Sequence, residues 1–222
     1  EEYGGMGLDT TTAAMMIEEG AKVESTFMGM FNVTSMGGKI VMAAGNEEQK
    51  QYYSSLLQKG YLISFCLTEP DAGSDSAAVR TTAVRKGDSY VINGTKMFIT
   101  NASLASVFLV VATLDPCKGS KGLATFIVEK DRPGVTVGKK IEKIGMRLSN
   151  TAEVIFDNVE IPAFNLIGTE EGGFANAMKV LTASRPIIAA SSLGACQLAR
   201  DLAIQYSKER VAFGKPICAK QM

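Results

Sequence analysis

Three short stretches carry side chains that could do chemistry. The first is FCLTEPDAGSD, Phe65 to Asp75, where an apolar run ends in Thr, Glu, Pro, Asp, Gly and Ser. The Thr68 hydroxyl can donate or accept a hydrogen bond. Pro70 fixes the chain direction, Gly73 lets a ligand approach the backbone, and Ser74 and Asp75 can cap or bind. Taken alone, Asp-Ala-Gly-Ser is a turn more often than a site. The second stretch is MFITNAS, Met97 to Ser103. Phe98 and Thr100 sit two apart on a strand and so share a face. An aromatic beside a hydroxyl suits a flat heterocycle: one covers a face, the other bonds a ring nitrogen. A half-buried strand gives the same pattern. The third stretch is KERVAFGKP, Lys208 to Pro216. Arg210 could bind phosphate. Equally, cations at a helix C-terminus suit its dipole, with Gly214 as the stop.

Composition limits what these groups can do. The chain has no histidine, which excludes His-ligated metals and Ser-His-Asp or Cys-His catalysis within it. A general base must be a carboxylate, Lys or Tyr, or must lie elsewhere. Cys66, Cys117, Cys196 and Cys218 are widely spaced and form no CxxC pair. They read as reduced thiols in a cytosol-like compartment rather than disulfides or a metal site. The 23 Lys+Arg balance the 23 Asp+Glu, so no long-range field draws the chain to nucleic acid or an anionic membrane. The longest apolar run, SVFLVVATL at Ser106 to Leu114, is strand length, short of the ~18–20 residues of a membrane span. No membrane insertion is expected, and no leader peptide is visible. EEYGGMGL at the start lacks an initiating Met and GKPICAKQM at the end has no stop signal, so both ends are expected to be truncated.

The elements that must position these stretches follow from periodicity. Thr10 to Gly60 reads as helical, with Ala13, Met16, Ile17 and Ala21 on one face. NEEQKQYYSSLLQKG looks like a capped helix: Asn46 caps, Gln49 sits three later and Gly60 ends it. From Tyr61 to Pro162 the chain reads as strands, with turn signals at KGD and at Asn93-Gly94, the latter a strong hairpin signal. Strands at this spacing suggest an antiparallel barrel or sandwich. Past Gly168 a long helical pattern returns, with Pro186 expected to kink it. The expectation is an α+β fold: a partial helical N-terminal domain over 1–62, a central antiparallel β-barrel-like domain over 63–165, and the start of a C-terminal helical bundle over 166–222.

Together and in this order, the stretches resemble the acyl-CoA dehydrogenase family. The matching segments are EEYGGMGL, FCLTEPDAGSD, INGTKMFITN, EKIGMRLSNTAEVIFDNVEIPAFNLIG, EGGF and SRPIIAASSLGACQLARDLAIQYSKERVAFGKPI, which cover nearly the whole chain. The resemblance implies a helix–β–helix fold, FAD as cofactor, and oxidation of an acyl-CoA thioester to its trans-2-enoyl form in fatty acid β-oxidation. A glutamate removes the α-proton while the β-hydride moves to flavin N5, and electrons pass to an electron-transferring flavoprotein. It further implies a homodimer or homotetramer, in a bacterial cytoplasm or a mitochondrial matrix. An acyl-CoA oxidase, a flavin monooxygenase, or a non-catalytic relative that binds CoA esters would share the scaffold.

By the same resemblance, Phe65, Leu67, Thr68, Gly73 and Ser74 border the flavin and the thioester. Thr68 bonds the isoalloxazine ring, and Ser74 touches the pyrophosphate or the CoA. Phe98, Ile99 and Thr100 flank the flavin, with Thr100 near N5. The family commonly has Trp at Phe98, so the face contact is kept and the indole donor lost. Arg210, Phe213 and Gln221 reach the FAD of a neighbouring subunit; many relatives have Thr at Ala212. The family base lies beyond Met222 in most members and just before the arginine matching Arg185 in a minority. That position is Ser184, which cannot act as a carboxylate base, so no catalytic base and no metal site are assigned here. Arg185 reads as a buried structural cation or, second, as a contact near the CoA. The 222 residues alone are expected to be inactive and to bind FAD poorly. ESTFMGMFNVTSMGG would line the acyl pocket, and a short or medium straight-chain acyl group is the expectation.

Overall fold

A computed structural model describes residues 2–220. The chain opens on α1, Thr10–Ala44, interrupted by one non-helical residue, Glu24. Next comes α2, Glu47–Gln58, with the cap its sequence predicts. Asn46 Oδ1 accepts from the Gln49 N–H at 2.8 Å, and Gln49 Oε1 accepts from the Asn46 N–H at 3.0 Å. Two donors that the first helical turn would leave orphaned are thereby satisfied. At the other end Gly60 takes φ +78°, a left-handed stop that costs glycine no Cβ clash.

The strands are β1 (Ile63–Cys66), β2 (Thr82–Lys86), β3 (Ser89–Thr100), β4 (Val107–Thr113), β5 (Leu123–Glu129), β6 (Val135–Val137), β7 (Thr151–Pro162) and β8 (Leu166–Ile167). They are followed by α3, Gly173–Glu209, and a hairpin of β9 (Val211–Ala212) and β10 (Lys215–Pro216). Helix, sheet, helix is the order expected. The sheet runs β6-β7-β3-β2-β4-β5-β8, with β1 also on β4. It corrects the antiparallel barrel in two respects. β1 and β2 both pair with β4 in parallel, and no ladder joins β6 to β8 among the described residues. The sheet is mixed and open.

β4 shows how this sheet builds two cores. Alternate residues of a strand point to opposite faces. Phe108, Val110 and Ala112 enter a cluster with Tyr90, Phe126, Val154 and Phe156, made wholly of sheet and loop residues. Val107 and Leu109 enter another with Ile40 and Val41 of α1, Tyr53 and Leu56 of α2, and Val180 of α3. A strand buried on both faces needs a continuous apolar run, which is what VFLVVAT is. Each fully buried Phe or Leu contributes about 1.5–3 kcal/mol.

A further expectation is corrected. Asn93-Gly94 is not a hairpin turn but lies inside β3. From Ile92 to Gly94 the partner β7 advances three residues, Val159 to Phe156. The extra residue includes Asn158 at φ +51°, and Asn93 Oδ1 accepts from its N–H at 2.8 Å. The other turn signal, KGD, is where the β2–β3 hairpin turns, at Gly87-Asp88. Among the described residues α3 is long and apolar enough, by length and composition alone, to cross a membrane. Core helices of soluble proteins meet the same measure. α3 also carries Pro186 without interruption.

The chain divides into two compact units. The first, Glu1–Gly7 with Met30–Ser184, holds the eight-stranded sheet, α2 and the adjoining parts of α1 and α3. The second, Leu8–Gly29 with Arg185–Met222, holds the first part of α1, the rest of α3 and the β9–β10 hairpin. Within the second unit α1 and α3 touch at Gly194, where a Cβ would overlap the Glu18 carbonyl and the Ala21 side chain. Gln197 Nε2 donates to Glu18 Oε1 at 2.7 Å beside it.

Candidate functional site

In the first unit, β1 with the loop after it runs antiparallel to the end of β3. Ser64 Oγ donates to Thr100 O at 2.7 Å, and the Met97 N–H donates to Thr68 O at 2.8 Å. The start of the first stretch, through Thr68, and residues 97–100 of the second therefore lie against each other.

A buried ion pair fastens them. Lys96, 0% exposed, donates to Glu69 Oε1 at 2.7 Å and to Leu67 O at 3.0 Å. The same carboxylate accepts from the Arg80 N–H at 2.6 Å and the Thr81 N–H at 3.0 Å. Glu69 and Ala72 exchange both backbone hydrogen bonds across Pro70-Asp71. Burial alone would raise the Glu69 pKa, but the Lys96 charge and these donors outweigh it and hold the carboxyl below its ordinary value. Burial lowers the Lys96 pKa, and Glu69 only partly restores it. Sequence reasoning set Glu69 aside and missed Lys96. The signal was present: Tyr90, Ile92 and Lys96 occupy alternate positions of β3 and are all buried, and a lysine on a buried face needs a carboxylate.

Phe98 stands where β3 bulges. Between Lys96 and Ile99 it advances three residues while β7 advances two, Val154 to Ala152. Phe98 takes φ +57°, an outlier for a bulky side chain, and its ring is 60% exposed. Ile99 is buried and Thr100 half-buried, so the out-in-out alternation holds, although a bulge rather than a regular strand carries it. The hydroxyls of Thr68 and Thr100, both half-buried, have no hydrogen-bond partner among the described residues.

The other predicted site residues divide. Phe65 is half-buried, and Leu67 is buried in a core cluster with its carbonyl bonded to the buried Lys96 ammonium. Gly73 and Ser74 are exposed, and a Cβ at Gly73 would meet nothing within 4 Å. Ser184 is buried, its hydroxyl donating to Leu181 O at 2.8 Å. Arg185 is exposed, which overturns its reading as a buried cation. It lies in the second unit with Arg210 and Phe213. There the Arg210 side chain is exposed. Phe213 is 95% exposed at φ +53°, with Lys220 Nζ 4.3 Å from its ring centroid. The geometry within the first unit thus joins 64–69 to 96–100. Gln221 lies outside the described residues.

This arrangement offers an exposed aromatic face, two uncommitted hydroxyls and an open, glycine-containing loop held rigidly from beneath. It fits a flat, polar-edged group such as a flavin. Comparison with known proteins points the same way. Family models of the acyl-CoA dehydrogenase N-terminal, middle and C-terminal domains match residues 1–60, 64–159 and 171–222. An acyl-CoA dehydrogenase of Bacillus subtilis is 44% identical over 100% of this chain and 59% of its own length. The butyryl-CoA dehydrogenase of Megasphaera elsdenii superposes with TM-score 0.94 at 38% identity, over 98% of this chain and 58% of that one. A chain from a structural study of the electron transferring flavoprotein of Acidaminococcus fermentans gives TM-score 0.95 at 42% identity, over 99% and 58%. The chain therefore spans somewhat under three-fifths of the length of its relatives. With all three domain models matched in order along it, this chain belongs to the acyl-CoA dehydrogenase family.

Proposed function

We propose that this chain supplies the flavin- and thioester-facing part of an FAD-dependent acyl-CoA dehydrogenase. The reaction would convert an acyl-CoA to the trans-2-enoyl-CoA and pass electrons to an electron-transferring flavoprotein. The observation that carries the reading is the convergence of 64–69 with 96–100 at one site. FAD, when bound, supplies the hydride acceptor. Phe98 would cover a ring face, Thr68 and Thr100 would bond its polar edge, and the exposed backbone at Gly73 and Ser74 would receive the pyrophosphate or the CoA. The buried Leu67 and Ile99 and the half-buried Phe65 would keep this wall fixed and dry, as a rigid polar surface requires. Arg210 and Phe213 would reach the FAD of a second copy, and Arg185, exposed on α3, would meet the CoA. The butyryl-CoA dehydrogenase likeness supports a short acyl chain, and the Acidaminococcus likeness supports the electron acceptor.

Neither candidate carboxylate position can take the α-proton. Glu69 is the only buried carboxylate among the described residues, and it is engaged by three donors. Ser184 is a hydroxyl already bonded to Leu181 O. The test is a titration of FAD with the purified chain. Weak, saturable quenching of flavin fluorescence is expected, with a band near ~450 nm that butyryl-CoA does not bleach anaerobically. Flavin optics unchanged at saturating protein would remove the cofactor reading, and bleaching would reveal a base within these residues.

A further inference from the structure

Three features outside the proposed chemistry invite a role. A cavity of about 620 Å³ lies between the first residues, α1 and α2, lined by Tyr3, Phe31, Lys39, Met42 and Leu57 among others, but nothing indicates its occupant. A loop with exposed Ile144, Met146 and Leu148 beside Lys139, Lys140 and Arg147 has the same gap. The third is the buried pair Lys96–Glu69, which chemistry does not use and whose burial opposes its formation.

Its position explains its presence. Lys96 is the last regular residue of β3 before the bulge, paired with Val154. From there its ammonium reaches the Leu67 carbonyl and the Glu69 carboxylate, on either side of Thr68. Thr68 O in turn accepts from the Met97 N–H, inside the bulge. Glu69 extends the clamp to the far end of the loop through the Arg80 and Thr81 N–H groups. A left-handed phenylalanine persists only where its surroundings over-determine it. If β3 slipped back to regular register, every side chain beyond the slip would change face, and Phe98 would turn inward.

We propose that Lys96 and Glu69 are positioning residues, which by clamping both ends of loop 67–81 to the β3 bulge keep Phe98 turned outward and the Thr68 edge fixed. Their relevance to FAD rests on the proposed function; the clamp itself does not. Nonpolar burial of a single partner would strand a charge, so the informative variant is the double, Lys96→Met with Glu69→Gln, which keeps both shapes.

The experiment measures amide exchange by mass spectrometry, the urea midpoint and FAD affinity on the 222-residue chain and the double variant. Exchange at Met97, Arg80 and Thr81 should accelerate by at least about tenfold while exchange in β4 and β5 stays unchanged. FAD affinity should fall by about tenfold or more, with the urea midpoint little altered. Unchanged exchange in 67–81 and 96–98 would overturn the clamp. Exchange that accelerates everywhere in parallel would overturn it too, marking the pair as general support. If the unaltered chain takes up no FAD while local exchange still rises in the variant, the clamp stands and the flavin reading falls. For a double variant that does not fold, Glu69→Asp, which keeps the charge pair but shortens its reach to the Arg80 and Thr81 N–H groups, is judged by the same amides and decides in the same way.

Discussion

At the scale of single residues, Phe98 is where stability and function part. Its left-handed backbone costs roughly 1–2 kcal/mol that a glycine would not incur, against about 0.5–1 kcal/mol of extra chain entropy that glycine would lose. Phe98→Gly should therefore leave the unfolding free energy unchanged or raise it by up to about 1.5 kcal/mol. The ring is 60% exposed, so little burial is lost with it. The same change removes the flat face offered to the flavin and should weaken FAD binding by roughly tenfold, the upper range for an aromatic contact. Urea unfolding and flavin fluorescence titration on one protein check both halves; a large loss of stability would mean the ring supports the fold. The sequence made Phe98 and Thr100 visible because type and spacing were enough. It hid the positive φ, since that depends on a bulge against β7, more than fifty residues away.

At the scale of elements, local signals were legible and pairings were not. The capping box of α2 lies within four residues and could be read directly from Asn46 and Gln49. Asn93-Gly94 is equally local, yet its turn preference lost to the ladder with β7, where Asn158 absorbs the irregularity. Glycine's meaning likewise depends on what faces it. At Gly194 a Cβ would press on the backbone carbonyl of Glu18, which cannot swing aside. Gly194→Ala should force α1 and α3 apart within the second unit and cost about 1–3 kcal/mol. Gly73→Ala meets open space and should stay within about 0.5 kcal/mol. Thermal unfolding followed by circular dichroism compares the two, and equal effects would argue against the close helix contact.

At the scale of the whole molecule, the change from helix to strand and back was readable because periodicity changes at Tyr61 and again past Gly168. The mixed pairing of the sheet and the Lys96–Glu69 clamp were not, because both join segments distant in sequence and leave only a lysine in an apolar strand as a trace. That clamp has a consequence for the stability of the chain. Glu69 and Glu129 both have carboxyl pKa values held below 4.5 in the fold. For Glu129, burial opposes this, but hydrogen bonds from Arg132 and Tyr52 prevail. A carboxylate with a depressed folded pKa binds fewer protons folded than unfolded, so its stabilisation is complete above the unfolded value and is lost as pH falls through the folded one. Tm should accordingly hold steady above pH 4.5 and fall as the pH drops below it through the depressed folded values. Lys96 adds to the same trend: burial lowers its folded pKa, so it too binds fewer protons folded than unfolded, and stability rises as pH climbs from the folded value toward the unfolded one. The Lys96→Met/Glu69→Gln protein lacks one of these acid-sensitive groups, so its Tm should decline less steeply over the same acid range. Identical acid profiles for the two proteins would mean that Glu69 is not held ionised by Lys96, and the ion pair would have to be redrawn as a neutral hydrogen bond.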